Sequence, residues 1–414
     1  MMKTLRMVDH RALTPANAST SAPRRRLAMI GFRQGSGGVG RVMTTLIDAL
    51  LDTGIDIDLL LPSAEHPDLS ALRGEVNRFV IDLDRLKQAE PTLLAYLRQR
   101  QPDAILSNRD QSHRLLLRRT LDGERPFTAF RVGTNIPERL KRNSPWTAAW
   151  NGWRLAVLYR QVDLLIGISS GVSAALTRML NQGPRWRRHQ PRIETILNPV
   201  DAEAIARLAG EPVSHPWLKQ KIGPVIVSVG RLVRAKQFSL LLRAFALLPP
   251  AMNARLMICG GGGQHERLLA LAARLGIADR IELLGYQSNP FRYVAAADLF
   301  VCSSVFEGAN NALLEALTLG TPCVSTDCPS GPREILNDGR LGPLVPVDDP
   351  VALAEAMRSV LEAPLPAERL RAGAARFDPQ RSAARYAEVL GLSVPGSGGG
   401  LSGQRQAILG WTKH

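Results

Sequence analysis

Short apolar runs alternate with helical patterns along most of this chain, and the alternation starts afresh near its middle. Such runs, separated by amphipathic segments, predict strands that are buried on both faces of a parallel sheet. The predicted strands are residues 27–32, 57–61, 78–83, 104–107, 128–132, 164–169 and 194–197, and then 225–229, 255–260, 280–284, 299–303, 323–326 and 344–346. We therefore predict an α/β protein with two doubly wound, Rossmann-like lobes in series.

The lobe limits follow from where the strand pattern restarts. We expect a flexible lead-in over residues 1–25, a first lobe over 26–198 and a second lobe over 199–375. A helix within 376–392 is expected to pack back on the first lobe. The Gly/Ser-rich residues from 393 to 414 are expected to form a flexible tail.

The net charge of +15 is concentrated in the half of the chain that ends at Asn198. Up to Asn198 there are 30 basic and 18 acidic residues, a net +12, whereas from Pro199 onward there are 22 and 19, a net +3. A basic lobe favours an anionic partner, such as nucleic acid, an acidic lipid surface or a phosphorylated substrate. An arginine-rich composition that only keeps the protein in solution is the alternative.

Cysteine usage and hydropathy argue against several classes of protein. The four cysteines form no CxxC or Cys/His pattern for zinc, so we expect reduced thiols in a cytosolic protein. No apolar run is long enough for a membrane-spanning helix, and the best candidate, residues 155–168, is interrupted by Arg160 and Asp163.

A glycine-rich loop follows the first predicted strand. Residues 35–40 read Gly-Ser-Gly-Gly-Val-Gly and precede a predicted helix, which is the arrangement that lets a backbone approach a phosphate. Binding of NAD would also favour an acidic residue at the end of the second strand, where Leu61-Pro62-Ser63 stands instead. A plain tight turn remains an alternative.

The second lobe has a cationic pair after its first strand. Arg231 and Lys236 leave the carboxyl end of strand 225–229, where parallel sheets bind anionic ligands. A forked guanidinium and an ammonium together suit a diphosphate. Two solvated surface charges are the alternative.

Two glutamates follow a later strand of the same lobe. Glu307 and Glu315 flank the predicted start of a helix after strand 299–303. Carboxylates accept hydrogen bonds from hydroxyl pairs such as a ribose diol or a hexose, while cations and helix amides bind phosphates. Together these groups indicate a nucleotide-sugar, although glutamates on a helix surface need no ligand.

These motifs resemble those of the retaining glycosyltransferases of family 4, which have the GT-B fold with two lobes facing a central cleft. Glu307 and Glu315 match the spacing of the EX7E motif, and Gly230-Arg231 with Lys236 resembles the family's diphosphate-binding pair. Asn198-Pro199-Val200-Asp201 is similar to the segment between the lobes, and residues 330–346 are similar to bacterial members that build surface polysaccharides. The resemblance covers roughly residues 26–392.

The resemblance implies a role for each matching residue. Arg231 and Lys236 would hold the donor diphosphate, Glu315 the ribose hydroxyls and Glu307 the transferred sugar, so that Glu307, Arg231 and Lys236 form the catalytic set. The remaining donor-binding residues would contribute backbone atoms: Gly37, Gly38, Gly308, Ala309, Asn310 and Asn311.

The resemblance also implies chemistry without a metal or other cofactor. Asp56-Ile57-Asp58 has the Asp-x-Asp spacing of a metal clasp but falls at a strand start. Retention in this fold is explained by front-face attack, in which the donor phosphate takes the acceptor proton. Where many members have a histidine, this chain has Asn135; Arg131 and Asn135 are the acceptor-side candidates, and we expect His113 to be an ordinary surface residue.

Aromatic residues interleave with basic ones in the first lobe. Trp146, Trp150 and Trp153 share one face of a predicted helix, and residues 185–188 read Arg-Trp-Arg-Arg. Core packing is the more ordinary interpretation of three tryptophans on one face, and an interfacial membrane patch is the other. No recognisable nucleic-acid motif is present, so we do not expect a nucleic-acid partner.

The sequence thus predicts a metal-independent, retaining enzyme that moves a hexose or N-acetylhexosamine from a UDP-sugar. The expected acceptor is a lipid-linked glycan in surface polysaccharide or lipopolysaccharide synthesis, and the expected location is the inner face of the cytoplasmic membrane. A nucleotide-sugar 2-epimerase of the same fold and a non-enzymatic polyanion-binding protein remain alternatives.

Overall fold

The computed structural model describes residues 25–32, 38–63, 69, 72–118, 125–141, 144–182 and 190–393. Apart from Arg25 and Ser393, the predicted lead-in and tail lie outside these residues, as does the basic cluster 185–188.

The first lobe is built on a seven-stranded sheet in which every neighbouring pair is parallel, in the order β3-β2-β1-β4-β5-β6-β7. Its strands are β1 (Arg26–Ile30), β2 (Asp56–Leu61), β3 (Asn77–Val80), β4 (Ala104–Ser107), β5 (Phe127–Val132), β6 (Leu164–Gly167) and β7 (Arg192–Thr195). Its helices are α1 (Gly38–Leu51), α2 (Leu86–Arg100), α3 (Asp110–Leu116), α4 (Ile136–Leu140), α5 (Pro145–Tyr159) and α6 (Ser170–Gln182).

The second lobe is built on a six-stranded parallel sheet in the order β10-β9-β8-β11-β12-β13. Its strands are β8 (Val225–Val229), β9 (Arg255–Cys259), β10 (Ile281–Gly285), β11 (Leu299–Cys302), β12 (Cys323–Thr326) and β13 (Leu344–Val345). The helices from the lobe junction onward are α7 (Ala202–Ala209), α8 (Pro216–Lys219), α9 (Phe238–Ala246), α10 (His265–Arg274), α11 (Phe291–Ala296), α12 (Asn311–Leu319), α13 (Pro332–Ile335), α14 (Pro350–Glu362), α15 (Ala367–Ala374) and α16 (Pro379–Val389).

The fold prediction is confirmed: two parallel, doubly wound lobes follow one another along the chain. Every predicted strand overlaps an observed one. The largest difference is at β3, which ends at Val80 instead of residue 83.

Each sheet is apolar on both faces because helices cover both. Along β8, Ile226 joins the core on one face while Val225 and Val227 join the core on the other. This alternation explains why the central strands are uninterrupted apolar runs in the sequence.

The chain crosses between the lobes twice, and the second crossing returns α16 to the first lobe. The backbone N–H of Val200, on the first crossing, donates to the carbonyl of Phe377 on the second at 2.9 Å. Tyr386 and Leu390 are then buried in the core that covers α1 and β2. The first lobe is therefore completed by residues from the far end of the chain.

Both sheets reverse their strand order beside a central strand, β1 in the first lobe and β8 in the second. Ligands of open α/β sheets bind at the carboxyl ends of strands at such a switch point. In the sequence, β1 precedes the glycine-rich residues and β8 precedes the cationic segment.

Among the described residues, no helix is both long enough and apolar enough to cross a membrane.

Candidate active site

The segment after β8 places Lys236 against Glu307. A one-turn 3-10 helix, Arg234–Lys236, turns the chain into α9, and the Lys236 Nζ lies 2.7 Å from the Glu307 Oε1. The Ser304 hydroxyl donates to the same carboxylate oxygen at 2.6 Å. Two residues that lie 71 positions apart are thus joined at the carboxyl edge of the second sheet.

The charge of Lys236 is stabilised by this pair. Burial is the largest single effect and lowers the pKa of the Lys236 ammonium. The Glu307 carboxylate, with smaller contributions from Cys302 and Cys328, raises it, and together these outweigh burial, so that the net pKa lies above its ordinary value. Lys236 is therefore protonated at neutral pH and available to a phosphate.

Glu315 lies in the second turn of α12 and is buried. Burial raises the pKa of its carboxyl group, and the charges of Arg41 and Lys236 offset only part of this increase. The Arg41 Nη2, from α1 of the first lobe, donates to the Glu315 Oε1 at 3.0 Å. The second glutamate of the pair is thus held by an ion pair that spans the two lobes.

The start of α12 faces the start of α1 across the cleft. Asn310 caps α12 by accepting a hydrogen bond from the Leu313 N–H at 3.2 Å, and its side chain is buried. The Asn311 Nδ2 donates to the Gly38 carbonyl at 3.1 Å. Two helix N-termini, those of α1 and α12, therefore lie close together. Helix N-termini attract anions such as phosphate groups.

The loop before α12 packs directly on the first lobe. The Ser169 hydroxyl donates to the Gly308 carbonyl at 2.7 Å, and Ala309 packs against the first-lobe core. A Cβ on Gly308 would lie 2.2 Å from the Gly133 carbonyl oxygen, so only glycine permits this approach. The lobes are therefore in contact at the segment that follows Glu307.

Two donor-site residues stand apart from these contacts. Arg231 is exposed, and among the described residues its side chain has no hydrogen bond or ion pair. Gly37 lies outside the described residues. Their predicted roles stay predictions.

The structure places Arg131 and Asn135 in the contact between the lobes and not on an open surface. Arg131 is buried and donates to the Asn108 Oδ1 at 2.7 Å and to the Asn198 Oδ1 at 2.5 Å. Asn135 caps α4 and donates to the Ser330 hydroxyl at 3.0 Å. The side chains of both residues are thus hydrogen-bonded within the protein, and their acceptor-side roles stay predictions.

The expectation that His113 is a surface residue is wrong. His113 is buried, its ring stacks on that of Phe130 with centroids 3.9 Å apart, and its Nε2 lies 3.2 Å from the Ser107 carbonyl. Burial lowers the pKa of its imidazole to about 4, so the ring is neutral at physiological pH. The α3 helix turns this residue inward, which its polar neighbours in the sequence did not indicate.

The core-packing interpretation of the three tryptophans is also wrong. On α5, Trp146, Trp150 and Trp153 are 89%, 58% and 42% exposed. The rings of Trp150 and Trp153 stack with centroids 5.3 Å apart. The opposite face of the helix, through Leu155 and Tyr159, enters the core.

The second aspartate of the Asp-x-Asp spacing in β2 lies in the protein interior. Asp58 is buried and accepts hydrogen bonds from Tyr96, Arg100 and Asn77. Within the part of the chain that the structure describes, no cluster of three or more His, Cys, Asp or Glu side chains could hold a metal ion.

Three site residues were not identified from the sequence: Arg41, Ser304 and Asn198. The Asn198 Nδ2 donates to the Asn311 Oδ1 at 2.8 Å, so the segment between the lobes reaches the start of α12. Two sequence features could have indicated these residues: Arg41 directly follows the glycine loop, and Asn198 is the first residue of the Asn-Pro-Val-Asp segment. The partner of Arg41, Glu315, lies 274 residues away and the partner of Asn198 on α12 lies 113 residues away, and this separation hid both contacts.

Comparisons with protein families match both lobes. Residues 36–204 match the family model described as "Glycosyltransferase Family 4". Residues 214–377 match the model described as "Glycosyl transferases group 1". The boundary between the two matches falls at the observed lobe junction.

Curated relatives carry names from glycan assembly. An N-acetylgalactosamine-N,N'-diacetylbacillosaminyl-diphospho-undecaprenol 4-alpha-N-acetylgalactosaminyltransferase of Campylobacter jejuni is 34% identical over 51% of this chain and 54% of that protein. The matched stretch therefore spans about half the length of that relative. The lipopolysaccharide core biosynthesis glycosyltransferase LpsD of Rhizobium meliloti is 26% identical over 81% of this chain and 88% of its own length.

Solved structures share the two-lobed fold. HepE of Anabaena, in complex with UDP-glucose, superimposes with a TM-score of 0.70 at 19% identity, over 88% of this chain and 99% of that chain. The family models on both lobes and this architecture together identify the chain: it belongs to the family 4 glycosyltransferases and has the GT-B fold.

Proposed function

We propose that the protein is a metal-independent, retaining glycosyltransferase that takes a hexose or N-acetylhexosamine from a UDP-sugar and transfers it to a lipid-linked glycan. One observation carries the proposal: Lys236, Glu307, Glu315 and the start of α12 meet at the switch point of the second sheet, opposite the start of α1. Groups that can bind phosphates, an ammonium and helix amides, thus lie beside carboxylates that can accept hydrogen bonds from hydroxyl groups.

Donor binding would exchange existing partners for ligand groups. A diphosphate competes with Glu307 for the Lys236 ammonium, and a ribose diol competes with Arg41 for the Glu315 carboxylate. Arg231 is exposed at the same edge and supplies a second cation. After both exchanges Lys236 contacts phosphate oxygens and the carboxylates accept hydrogen bonds from hydroxyl groups, so each charged group keeps a polar partner.

In the proposed reaction, the sugar–phosphate bond breaks and negative charge develops on the departing UDP. Arg231, Lys236 and the amides of Gly308 to Asn311 stabilise that charge in a preorganised site. Glu307 contacts the transferred sugar. The acceptor attacks from the side that the UDP leaves, and its proton passes to the donor phosphate, so retention follows without a base from the chain.

The names of similar proteins support the proposed donor and acceptor classes. HepE was crystallised with UDP-glucose, and the Campylobacter jejuni relative is named for an acceptor on diphospho-undecaprenol. The LpsD relative is named for lipopolysaccharide core biosynthesis. These names support a UDP-sugar donor and an acceptor glycan that is built on a lipid in surface polysaccharide or lipopolysaccharide synthesis.

The exposed tryptophans support a peripheral position on an anionic membrane, at its cytoplasmic face. Three aromatic side chains stand on the outer face of α5, with the exposed Arg154 on the same helix. Indole rings settle at headgroup depth, and the net +8 of residues 26–198 adds attraction to acidic lipids.

A calorimetric titration with UDP and a panel of UDP-sugars tests donor binding. We expect the unaltered protein to bind UDP, and Arg231→Ala to bind it at least tenfold more weakly, because one charge-assisted contact contributes roughly 1.5–3 kcal/mol. Arg369→Ala, which removes an exposed arginine from α15, serves as the matched control. Failure of the unaltered protein to bind any nucleotide or nucleotide-sugar on the panel would overturn the proposal.

A further inference from the structure

A groove on the outer surface of the second lobe is lined by four arginines that the donor site does not use. It lies between α9, α10 and the turn that precedes α9, and its volume is about 420 Å³. Ligand pockets have volumes of about 300 to 1,000 Å³. The groove shares none of its lining residues with the Lys236, Glu307 and Glu315 cluster.

The arginines come from three separate elements. Arg267 and Arg274 lie seven positions apart on one face of α10, Arg243 lies on α9, and Arg234 opens the 3-10 turn. All four side chains are exposed, and among the described residues none has an ion pair or side-chain hydrogen bond. Four guanidinium groups around one groove repel each other, and nothing in the local packing requires them.

The groove offers no carboxylate to neutralise this charge. Its other lining residues are polar amides and a hydroxyl at the rim and apolar residues: Gln237, Gln264, Ser239, Val233, Phe238, Leu268 and Leu271. Asp348 is hydrogen-bonded to Gln237 at the rim and does not line the groove. The floor is formed by Phe238, Leu268 and Leu271, which are buried.

We infer that this groove binds an anionic ligand with at least two phosphate groups, separately from the donor. Planar guanidinium groups form paired hydrogen bonds to phosphate oxygens, and two arginines on α10 with one on α9 and one on the turn can address more than one phosphate. The apolar floor accommodates the less polar body of such a ligand.

The groove and the donor site share the turn Arg234–Lys236. Arg234 lines the groove, whereas Lys236, two residues later, pairs with Glu307. The same turn is tied to the Glu307 loop by the Val305 N–H, which donates to the Ala235 carbonyl at 2.9 Å. The two ligands would therefore bind on either side of one short segment of backbone.

Inorganic tripolyphosphate tests the groove directly by titration calorimetry. The comparison is between the unaltered protein and the double variant Arg267→Ala/Arg274→Ala, in which Arg231 and Lys236 remain intact. Any loss of binding then belongs to the groove and not to the donor site. We expect the double variant to lose one binding event, or to bind roughly 30-fold more weakly or worse.

A second double variant, Arg207→Ala/Arg369→Ala, removes the same charge from exposed positions on α7 and α15 and should bind tripolyphosphate as the unaltered protein does. Sedimentation with phosphatidylglycerol vesicles distinguishes the source of the phosphate. Loss of tripolyphosphate binding alone assigns the groove to a ligand free in solution, and loss of vesicle binding assigns it to lipid headgroups. If the groove variant matches the control in both assays, the inference is overturned.

Discussion

Glu315 shows how a single buried carboxylate connects stability with ligand binding. Burial raises the pKa of its carboxyl group, and one arginine from the other lobe offsets this only in part. The folded protein therefore favours the protonated form more than the unfolded chain does, and the stability that this contributes at low pH is lost as the pH rises past the ordinary pKa and through the raised one. Such a residue is retained at a cost when a ligand needs its charge.

The variant Glu315→Gln should separate these effects. Its melting temperature at pH 7 should equal or exceed that of the unaltered protein, because a neutral amide avoids the burial of a charge, and the difference should shrink as the pH falls below 4.5. UDP affinity should fall at least tenfold, since the ribose hydroxyls lose a charged acceptor. Thermal melts and calorimetry measure the two effects, with Glu368→Gln as an exposed control. A lower melting temperature with unchanged UDP affinity would contradict this account.

The Lys236–Glu307 pair should behave as a unit. Lys236→Met leaves the partly buried Glu307 without its cation and should cost about 3 kcal/mol of stability. Lys236→Met/Glu307→Gln should recover most of that loss, because neither charge remains, yet sugar transfer should be abolished in both variants. Urea unfolding followed by a transfer assay measures this. The single variant Glu307→Gln completes the comparison. If the loss of stability in the double variant equals the sum of the losses in Lys236→Met and Glu307→Gln, the two residues do not act as a unit.

The candidate donor residues could be identified from the sequence because each stands next to a strand end. Arg231 and Lys236 follow β8, and Glu307 follows β11. Their partners could not be predicted in the same way. Arg41 and Glu315 lie 274 positions apart, and no local pattern brings two residues of different lobes together.

At the scale of elements, α16 shows that the first lobe depends on the end of the chain. Tyr386 is almost fully buried against α1, and the Arg385 Nη2 lies 2.6 Å from the Oε2 of Glu194 in β7. The helix thus belongs to the core of the first lobe although it follows the second lobe in the sequence.

Tyr386→Ala should therefore destabilise the first lobe by about 3 kcal/mol or more, because it empties a large volume in a packed core. Arg381→Ala, on the exposed side of the same helix, should change stability by less than about 0.5 kcal/mol. Hydrogen exchange can locate the loss: protection should fall in α1 and β2. A loss of protection confined to the second lobe would show that α16 does not support the first.

The strands were predictable because full burial makes them apolar along their entire length. It was harder to predict which face of a helix packs against the core. Periodicity placed three tryptophans on one face of α5 but could not indicate whether core or solvent covers that face. His113 shows the opposite error, since a polar stretch of sequence concealed a ring buried against Phe130.

For the whole molecule, charge and exposed aromatic surface point to the same partner. The first lobe, residues 26–198, carries a net +8 and the exposed tryptophan face of α5. The second lobe, residues 199–375, has equal numbers of basic and acidic residues and carries the carboxylates Glu307 and Glu315. In the proposed function, the basic lobe lies on the membrane that holds the acceptor and the second lobe receives the donor.

A triple variant, Trp146→Ser, Trp150→Ser and Trp153→Ser, should weaken binding to phosphatidylglycerol vesicles on the order of 100-fold, because three partly exposed rings lose about 3 kcal/mol of apolar burial. Vesicle sedimentation measures the change. The control is Leu247→Ser, Leu269→Ser and Val351→Ser, three exposed apolar residues of the second lobe. Equal vesicle binding by the two triple variants would show that the tryptophan face of α5 does not contact the membrane.

The stereochemistry of donor hydrolysis tests the central claim most directly, since it needs no knowledge of the acceptor. Nuclear magnetic resonance would follow the protein with UDP-α-glucose, UDP-α-galactose and their N-acetylamino counterparts, and would identify the first anomer of sugar released with UDP. The account predicts that the α anomer appears first from at least one donor, and that Arg231→Ala and Glu307→Gln abolish its release. Initial release of the β anomer, or no UDP from any donor, would contradict it.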